Sequence, residues 1–288
     1  MEDIDKLSID EFPKPLLETP QPPKTLYIRG RLPKDERLVY LAVVGSRRHT
    51  SYGKEICEKL IAGLAGYPIV IVSGLAIGID SIAHISALKA GLLTISFPGS
   101  GLDNEALHPK TNIKLAQEIV DAGGCLISEM EPQMRATTFS FPARNRLMAG
   151  LCRATLVIEA EEKSGTLITA RMALDYNRDV LSVPGSVFSP NSRGTNKLIR
   201  AGATPITNSD ELLEALGFEV EKEKMNDQDR YASCGKEEMK IINLLREPLE
   251  RDELVRASGM NTADANSLLS LMEIKELIKE ELGEIRKI

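Results

Sequence analysis

Glycine and serine follow three apolar segments of the sequence, in turns that could bind an anion. The turns read GSRR at 45–48, SGLAIGID at 73–80 and PGSGLD at 98–103. Backbone N–H groups at such strand-to-helix turns can point at a phosphate, and arginines add a positive bidentate fork. The candidate phosphate-binding residues here are Ser46, Arg47, Arg48, Ser73, Gly74, Gly78, Asp80, Gly99 and Gly101. No Walker loop occurs and no GxGxxG follows the first segment, so each turn alone is also compatible with an ordinary strand–helix connection.

Aromatic rings and arginines occur together in the stretch FSFPARNR at 139–146. Guanidinium groups suit backbone phosphates, and an aromatic face suits an unstacked base. We therefore predict that four residues contact single-stranded nucleic acid: Phe141, Arg144, Asn145 and Arg146. The alternative is a helix start whose phenylalanine packs in the core. The turn KSGT opens a later helix and extends the candidate anion site to Lys163, Ser164, Gly165 and Thr166.

Patterns that would indicate catalysis or a metal site are missing from the sequence. It has three histidines and four cysteines, and it contains no HxH, HExxH or CxxC motif. No nucleophile stands beside a recognisable base. We therefore expect no catalytic residues, no metal and no cofactor, and a binding protein rather than an enzyme. His84, between alanines on a predicted helix, is interpreted as a packed and hydrogen-bonded residue.

Alternating strands and helices are predicted to position these turns. Short apolar segments at 39–44, 69–72, 92–97, 125–127, 155–158 and 180–183 are typical of strands buried on both faces of a parallel sheet. Helical stretches separate them, at 51–65, 79–90, 110–121, 141–152, 165–176 and 195–201. This alternation predicts an open, doubly wound α/β domain over 33–217, whose ligands lie beyond the carboxyl ends of the strands.

The two ends of the chain differ from this central domain. Residues 1–32 are rich in proline and show no periodicity, so we expect a loose N-terminal tail. Residues 218–231 are charged and predict a linker. Residues 232–288 contain three short helical stretches followed by a potential hairpin near Gly283, a pattern typical of a winged-helix domain.

Charge and composition limit the possible functions. The chain of 288 residues carries a formal net charge of -6, which disfavours a protein that coats duplex DNA by bulk charge. Residues 31–217 hold 20 Lys and Arg against 19 Asp and Glu, so the acidity comes from the two ends. The sequence has neither a secretory signal pattern nor an apolar run of the length that a membrane span requires. We expect a cytoplasmic protein that does not contact membranes.

Many of these motifs occur in the order found in one bacterial family. The matching segments are GSRR at 45–48, SGLAIGID with AH at 73–84, GSGLD at 99–103, HPKTN at 108–112, SE at 128–129, FPARNR at 141–146, EA at 159–160, KSGTLITA at 163–170, VPG at 183–185 and GTNKLI with GA at 194–203. In combination they resemble the DNA-processing protein A family, DprA or Smf. Many members carry an N-terminal helical domain where this chain has about thirty residues, and often a tyrosine where it has His108.

The resemblance implies an extended Rossmann-like fold with a mostly parallel sheet. It further implies a single-stranded DNA-binding protein that protects incoming DNA and helps load RecA recombinase during natural transformation and DNA recombination. It also implies a homodimer without enzymatic turnover. Carried over by motif, the DNA contacts would come from Arg47, Arg48, the 73–78 loop, Phe141, Arg144, Arg146 and Lys163.

Two other functions stay open at this point. A Rossmann-like enzyme that binds or cleaves a nucleotide-derived small molecule would use the same glycine-rich strand ends. Basic positions spread over several strand ends favour a long anion instead. A transcription regulator that uses residues 232–288 is disfavoured, because that module carries 9 Lys and Arg against 12 Asp and Glu.

Overall fold

The computed structural model describes residues 3–220, 231, 234–275, 277–281 and 283–287. They form two compact units, Met1–Val220 and Glu221–Ile288. The strands of the first unit are β1 (Ile4–Leu7), β2 (Leu26–Gly30), β3 (Val39–Val44), β4 (Ile69–Ser73), β5 (Leu93–Ser96), β6 (Cys125–Ser128), β7 (Ala154–Val157), β8 (Asp179–Ser182) and β9 (Thr204–Pro205). Its helices are α1 (Lys14–Leu17), α2 (Ser51–Ala62), α3 (Ile79–Lys89), α4 (Ile113–Asp121), α5 (Ser140–Leu151), α6 (Thr166–Asp175), α7 (Arg193–Arg200) and α8 (Ser209–Ala215).

These strands form one large, mostly parallel sheet, in the order β1-β2-β6-β5-β4-β3-β7-β8-β9. The strands from β6 to β9 pair in parallel, and only the β1–β2 and β2–β6 pairs are antiparallel. Each of the six predicted apolar segments overlaps a strand of this sheet. The prediction of an α/β domain with a mostly parallel sheet is confirmed.

Helices cover both faces of the sheet because alternate strand residues point to opposite sides. On β3, Ala42 and Val44 belong to the core cluster that also contains residues of α5 and α6. Leu41 and Val43 belong to the cluster that contains residues of α2, α3 and α8. Strands that are apolar at every position are therefore what a three-layer arrangement requires.

The N-terminal segment differs from the loose tail expected over residues 1–32. β2 pairs antiparallel with β6, and β1 pairs antiparallel with β2, so this segment extends the sheet at one edge. Leu26 and Leu16 are fully buried. Prolines flank the short LYI run on both sides, so the sequence shows no periodic pattern that would predict this strand. Its partner β6 lies about a hundred residues further along the chain, so local sequence could not show the pairing.

The second unit has its own helices, strands and core. It contains α9 (Lys236–Leu244), β10 (Leu249–Glu250), α10 (Arg251–Ser258), α11 (Thr262–Ile274), β11 (Ile278–Glu281) and β12 (Glu284–Lys287). The strands pair antiparallel in the order β10-β12-β11, and Ile241, Leu254, Leu269 and Ile285 are among the buried core residues. Most of the linker predicted over 218–231 lies outside the described residues, at 221–230. No helix in the described part of the chain is long and apolar enough to cross a membrane.

Candidate functional site

A cavity of about 520 Å³ opens beyond the carboxyl ends of β3 and β7. β3 pairs in parallel with β4 on one side and with β7 on the other. The chain leaves β3 towards β4 and returns later to β7, so the strand order reverses between β3 and β7. Such a switch point leaves a crevice between the loops that follow the two strands, which is where open α/β sheets bind ligands.

The cavity brings together residues from four separate parts of the sequence. Eleven of the predicted site residues line it: Ser46, Arg47, Arg48, Asp80, Phe141, Arg144, Asn145, Lys163, Ser164, Gly165 and Thr166. These eleven residues, though distant in sequence, therefore lie around one cavity of the fold.

The arginine loop after β3 is held by backbone contacts that leave its charges outside. The Arg48 N–H donates to Ser46 Oγ at 3.0 Å, and Asn191 Nδ2 donates to the Arg48 carbonyl at 2.8 Å. Both arginine side chains are exposed, and neither makes an ion pair with another described residue. The Arg47 guanidinium lies 5.2 Å from the centre of the Phe141 ring. Two positive charges are thus available to a ligand.

One face of α5 forms a wall of the cavity. Phe141, Arg144, Asn145 and Met148 all line it, at the spacing of three and four residues that places side chains on one side of a helix. The Phe141 ring meets His108 edge-on at 5.9 Å between centroids. A Cβ at Gly99 would lie 2.5 Å from that ring, so only glycine at this position leaves room for Phe141 to pack here.

Arg144 lies at the floor of the cavity and is almost completely buried. It is 6% exposed, donates from Nη1 to the Phe97 carbonyl, and leaves Nε without a partner among the described residues. A Cβ at Gly74 would overlap its guanidinium. Burial lowers the pKa of Arg144 to about 10, while nearby Asp80 acts in the opposite direction. The side chain remains a cation at neutral pH, but it is fixed in the fold.

Asp80 and His84 add two further buried titratable groups on α3. Burial raises the pKa of Asp80, against the opposing effects of Arg144 and of the N–H groups of Ala76 and Gly74. Burial also lowers the pKa of His84 to about 3, and the charge of Arg144 contributes. His84 lies away from the cavity lining, with Nδ1 2.7 Å from Thr94 Oγ1. Its interpretation as a packed histidine is confirmed.

The start of α6 faces the arginine loop across the cavity. Thr166 Oγ1 donates to the Gly45 carbonyl at 3.1 Å, and the Thr166 N–H donates to Ser164 Oγ at 3.2 Å. Nothing lies within 4 Å of the position that a Cβ at Gly165 would occupy. Lys163 is exposed and has no side-chain partner in the described part of the chain. The first turn of α6 thus presents backbone and a free cation to the cavity.

Six predicted site residues do not line this cavity: Ser73, Gly74, Gly78, Gly99, Gly101 and Arg146. Most of them pack the site together. Ser73 Oγ donates to the Val43 carbonyl at 2.6 Å. Gly78, at φ +88°, lets α3 approach the arginine loop, since a Cβ there would lie 2.4 Å from the Ser46 carbonyl oxygen. Gly101 lies against the carbonyls of residues 131 and 132. The expectation that these glycines contact phosphate is therefore replaced by a packing role.

Arg146 points away from the cavity, contrary to the prediction. Its Nη2 pairs with Glu129 at 2.7 Å, and its Nη1 donates to the Gln21 carbonyl at 2.7 Å. Two residues apart on a helix means about 200° of rotation, so Arg144 and Arg146 cannot share one face. The spacing of FPARNR, treated as a helix, would have shown this.

Phe139 and the contacts that support the arginine loop were not predicted. Phe139 is 86% exposed, whereas Phe141 is half-buried.

Glu159 accepts hydrogen bonds from the Thr50 N–H at 2.9 Å and the Thr50 hydroxyl at 2.5 Å, which fixes the start of α2. Nothing in the local sequence pairs these residues, because they are about a hundred positions apart. No group of three or more His, Cys, Asp or Glu side chains suited to a metal ion occurs among the described residues.

The fold and the cavity together define an α/β protein with a positively lined crevice at the switch point of its sheet. The family model for DNA recombination-mediator protein A matches residues 6–217. The chain belongs to this family.

Relatives of known name agree with this assignment. The chain is 41% identical over 209 residues to DNA processing protein DprA of Streptococcus pneumoniae. This match covers 73% of this chain and 72% of the other. It is 39% identical over 207 residues to protein Smf of Escherichia coli, where the match covers 72% of this chain and 54% of the other. The chain thus spans only about half the length of the latter.

Two solved structures share the fold. DprA from Streptococcus pneumoniae superposes with a TM-score of 0.68 at 38% identity, covering 75% of each chain. DNA processing protein A from Helicobacter pylori superposes with a TM-score of 0.65 at 33% identity, covering 75% of this chain and 98% of that one. The Helicobacter protein is described by its single-stranded DNA binding mode.

Proposed function

We propose that this protein binds single-stranded DNA in the cavity between β3 and β7 and acts as a recombination mediator. The observation that carries the proposal is the placement of Arg47, Arg48 and Lys163. All three are exposed cations without a charged partner among the described residues, and all line one crevice. A phosphate backbone is the ligand that such a set recognises without base specificity.

Phe141 is assigned to base stacking within this site. Its ring lies 5.2 Å from Arg47 and 5.9 Å from the His108 ring, and it is partly exposed at the cavity wall. An arginine over one aromatic face leaves the ring a platform beside the phosphate-binding groups. Phe141→Leu keeps an apolar side chain on Gly99 and removes the stacking surface, so it should weaken DNA binding with little effect on thermal stability.

The finer parts of the function rest on the family. The proposed partners are RecA recombinase, which the protein would help to load, and a second copy of the chain in a homodimer. The proposed domains are a DNA-binding domain over 33–217 and a winged-helix domain over 232–288. The element order of the second unit, helix–strand–helix–helix–strand–strand, supports the winged-helix assignment.

Fluorescence anisotropy with labelled oligo-dT at several salt concentrations tests the DNA-binding proposal. For single strands, log K falls with log salt by about 0.7 per neutralised phosphate. The triple variant Arg47→Ala/Arg48→Ala/Lys163→Ala should lose affinity, and its slope should be smaller by about 2. Lys89→Ala removes an exposed charge at the far end of α3 and is the matched control.

The same titration separates DNA binding from an enzyme acting on a small nucleotide. AMP, ATP and NAD in excess should fail to displace oligo-dT. Displacement at micromolar nucleotide, with weak or salt-insensitive oligo-dT binding, would favour the nucleotide enzyme instead.

A further inference from the structure

A second cavity shares Phe141 with the first cavity. It has a volume of about 690 Å³ and is lined by residues 105–108, Lys110, residues 135–138 and Phe141. Both cavities fall within the range of about 300–1,000 Å³ that is usual for small-ligand sites. Phe141 lines both of them, with Arg47 at 5.2 Å in the first and His108 at 5.9 Å in the second.

The lining of the second cavity is suited to an anion. Arg135 is exposed and makes no ion pair or side-chain hydrogen bond with any residue that the structure describes. Lys110 Nζ donates to the carbonyls of Asn104 at 2.9 Å and Glu105 at 2.6 Å, which fixes its position but leaves its charge uncompensated. Thr138 adds a hydroxyl. Glu105 is the only acidic residue of the lining, so the positive charges exceed the negative.

An aromatic ring accompanies these charges. Phe139 lies between Thr138 and Phe141 in the chain, both of which line the cavity, and it is 86% exposed. The Thr137–Ser140 turn that carries it is closed by hydrogen bonds in both directions, from the Thr137 N–H to Ser140 Oγ at 3.0 Å and from the Ser140 N–H to Thr137 Oγ1 at 3.3 Å. An exposed ring on a fixed turn can stack a base at low entropic cost.

We propose that the second cavity is a second nucleotide subsite, in which Arg135 and Lys110 hold a phosphate. Phe139, which is outside the lining but next to Thr138 in the chain, would stack a base of the same strand that occupies the first cavity. This inference rests on the proposed function. Phe141 would then stand between two successive parts of one strand. A ligand that reaches both cavities must be longer than one nucleotide, so occupancy of the second subsite depends on oligonucleotide length.

Anisotropy with labelled oligo-dT of about two to twelve nucleotides tests the proposal on the full chain. The variant is Phe139→Ala/Arg135→Ala, whose two side chains are exposed and without hydrogen bonds, and thermal melting checks that its fold is intact. Wild-type affinity should rise with length. The variant should match the wild type on the shortest oligonucleotides and bind the longest about tenfold or more weakly. Lys89→Ala should follow the wild type throughout.

The outcomes distinguish this inference from the function on which it rests. Wild-type protein that binds no oligo-dT at any length contradicts the proposed function itself. Wild-type binding with an unchanged affinity of the variant at every length overturns the second subsite alone. An equal loss at all lengths also overturns it, because the second cavity would then belong to a single site. Arg47→Ala should weaken binding at every length.

Discussion

Arg144 and Arg146 show how two residues of one type acquire different roles from their surroundings. Arg144 is buried at the floor of the cavity, where the Phe97 carbonyl and nearby Asp80 fix it. Arg146 donates from Nη2 to both carboxylate oxygens of Glu129, with side chains 15% and 17% exposed. A guanidinium that is already paired with a carboxylate has little uncompensated charge and few free N–H donors with which to bind a phosphate. Of the four predicted site arginines, Arg47 and Arg48 are the two whose exposed charges stay available to a ligand, together with that of Lys163.

Arg146→Ala should therefore leave the salt dependence of DNA binding unchanged. It should instead lower the free energy of unfolding by about 1–3 kcal/mol, because Glu129 is left half-buried without its partner. Anisotropy against salt and chemical denaturation measure the two effects. Arg47→Ala is the comparison: it should reduce the salt dependence of DNA binding and leave the free energy of unfolding unchanged. A salt slope reduced by about 0.7 in Arg146→Ala would show that this side chain does contact phosphate.

His84 should make the stability of the first unit depend on pH. Its pKa is lowered to about 3 by burial, from an ordinary value of 6.5. Below pH 6.5 His84 binds a proton in the unfolded chain but not in the folded chain, so stability falls as pH falls. Between pH 7 and pH 5 this group alone should lower the free energy of unfolding by about 2 kcal/mol.

Chemical denaturation of the wild type and of His84→Asn at both pH values measures this contribution. Asparagine can keep the hydrogen bond to Thr94 and does not titrate. Asp80, whose pKa burial raises, acts in the opposite direction in both proteins and cancels in the comparison. A wild-type pH dependence equal to that of the variant would contradict the buried, neutral histidine.

Residue types and order along the chain predicted much of the site, but side-chain direction was harder to predict. Eleven of the seventeen predicted residues line the cavity, because glycine, serine and basic residues after successive strands must meet at one edge of a parallel sheet. The glycines at 74, 78 and 99 were assigned to phosphate because their packing partners, Arg144, Ser46 and Phe141, are distant in sequence. Sequence alone does not show which atoms a missing Cβ makes room for.

At the scale of elements, α5 and α6 position most of the site. α5 presents one side-chain face, whereas α6 presents its first turn and the positive end of its backbone dipoles. The apolar strands and the helices between them were predictable from local sequence, because each is a continuous pattern. The N-terminal strands β1 and β2 were not, because β2 pairs with the distant β6 and β1 pairs in turn with β2.

Gly165→Ala should separate the folding role of α6 from its role in binding. Gly165 has φ -58° and ψ -23°, which alanine adopts readily, and no atom lies near the position of the new Cβ. The free energy of unfolding should stay constant or rise by about 0.4–1 kcal/mol. Oligo-dT affinity should fall, because the new methyl group occupies space that the sugar-phosphate backbone of the bound DNA needs. Undiminished affinity would show that DNA does not approach α6 at this point.

At the scale of the whole molecule, charge and core formation distinguish the two units. The first unit holds the positively lined cavity, and the second has a separate core that includes Ile241, Leu269 and Ile285. Residues 232–288 carry 9 Lys and Arg against 12 Asp and Glu. The division could be predicted from the charged, aperiodic stretch at 218–231, most of which, at 221–230, lies outside the described residues.

The second unit should contribute little to DNA binding. A helix-turn-helix reader puts its second helix into the major groove, and here that helix would be α11. From Ala257 to Ile274 there is no Lys or Arg, while Asp264 and Glu273 are acidic. Leu269 and Met272 are buried in the core of the unit. An acidic surface is repelled by a phosphate backbone, so this helix lacks what a duplex-binding helix needs.

A chain that ends at Val220 should keep its oligo-dT affinity within about threefold, because the cations of the cavity supply the attraction to phosphate. The isolated second unit should show no binding to duplex DNA at moderate salt. Anisotropy on the full chain and on both fragments measures this, and circular dichroism establishes that each fragment is folded. Size-exclusion chromatography on the truncated chain shows whether its oligomeric state is unchanged. With that state and the fold intact, a tenfold or larger loss would mean that the second unit contacts DNA after all. Duplex binding by the isolated unit would place a transcription regulator among the functions again.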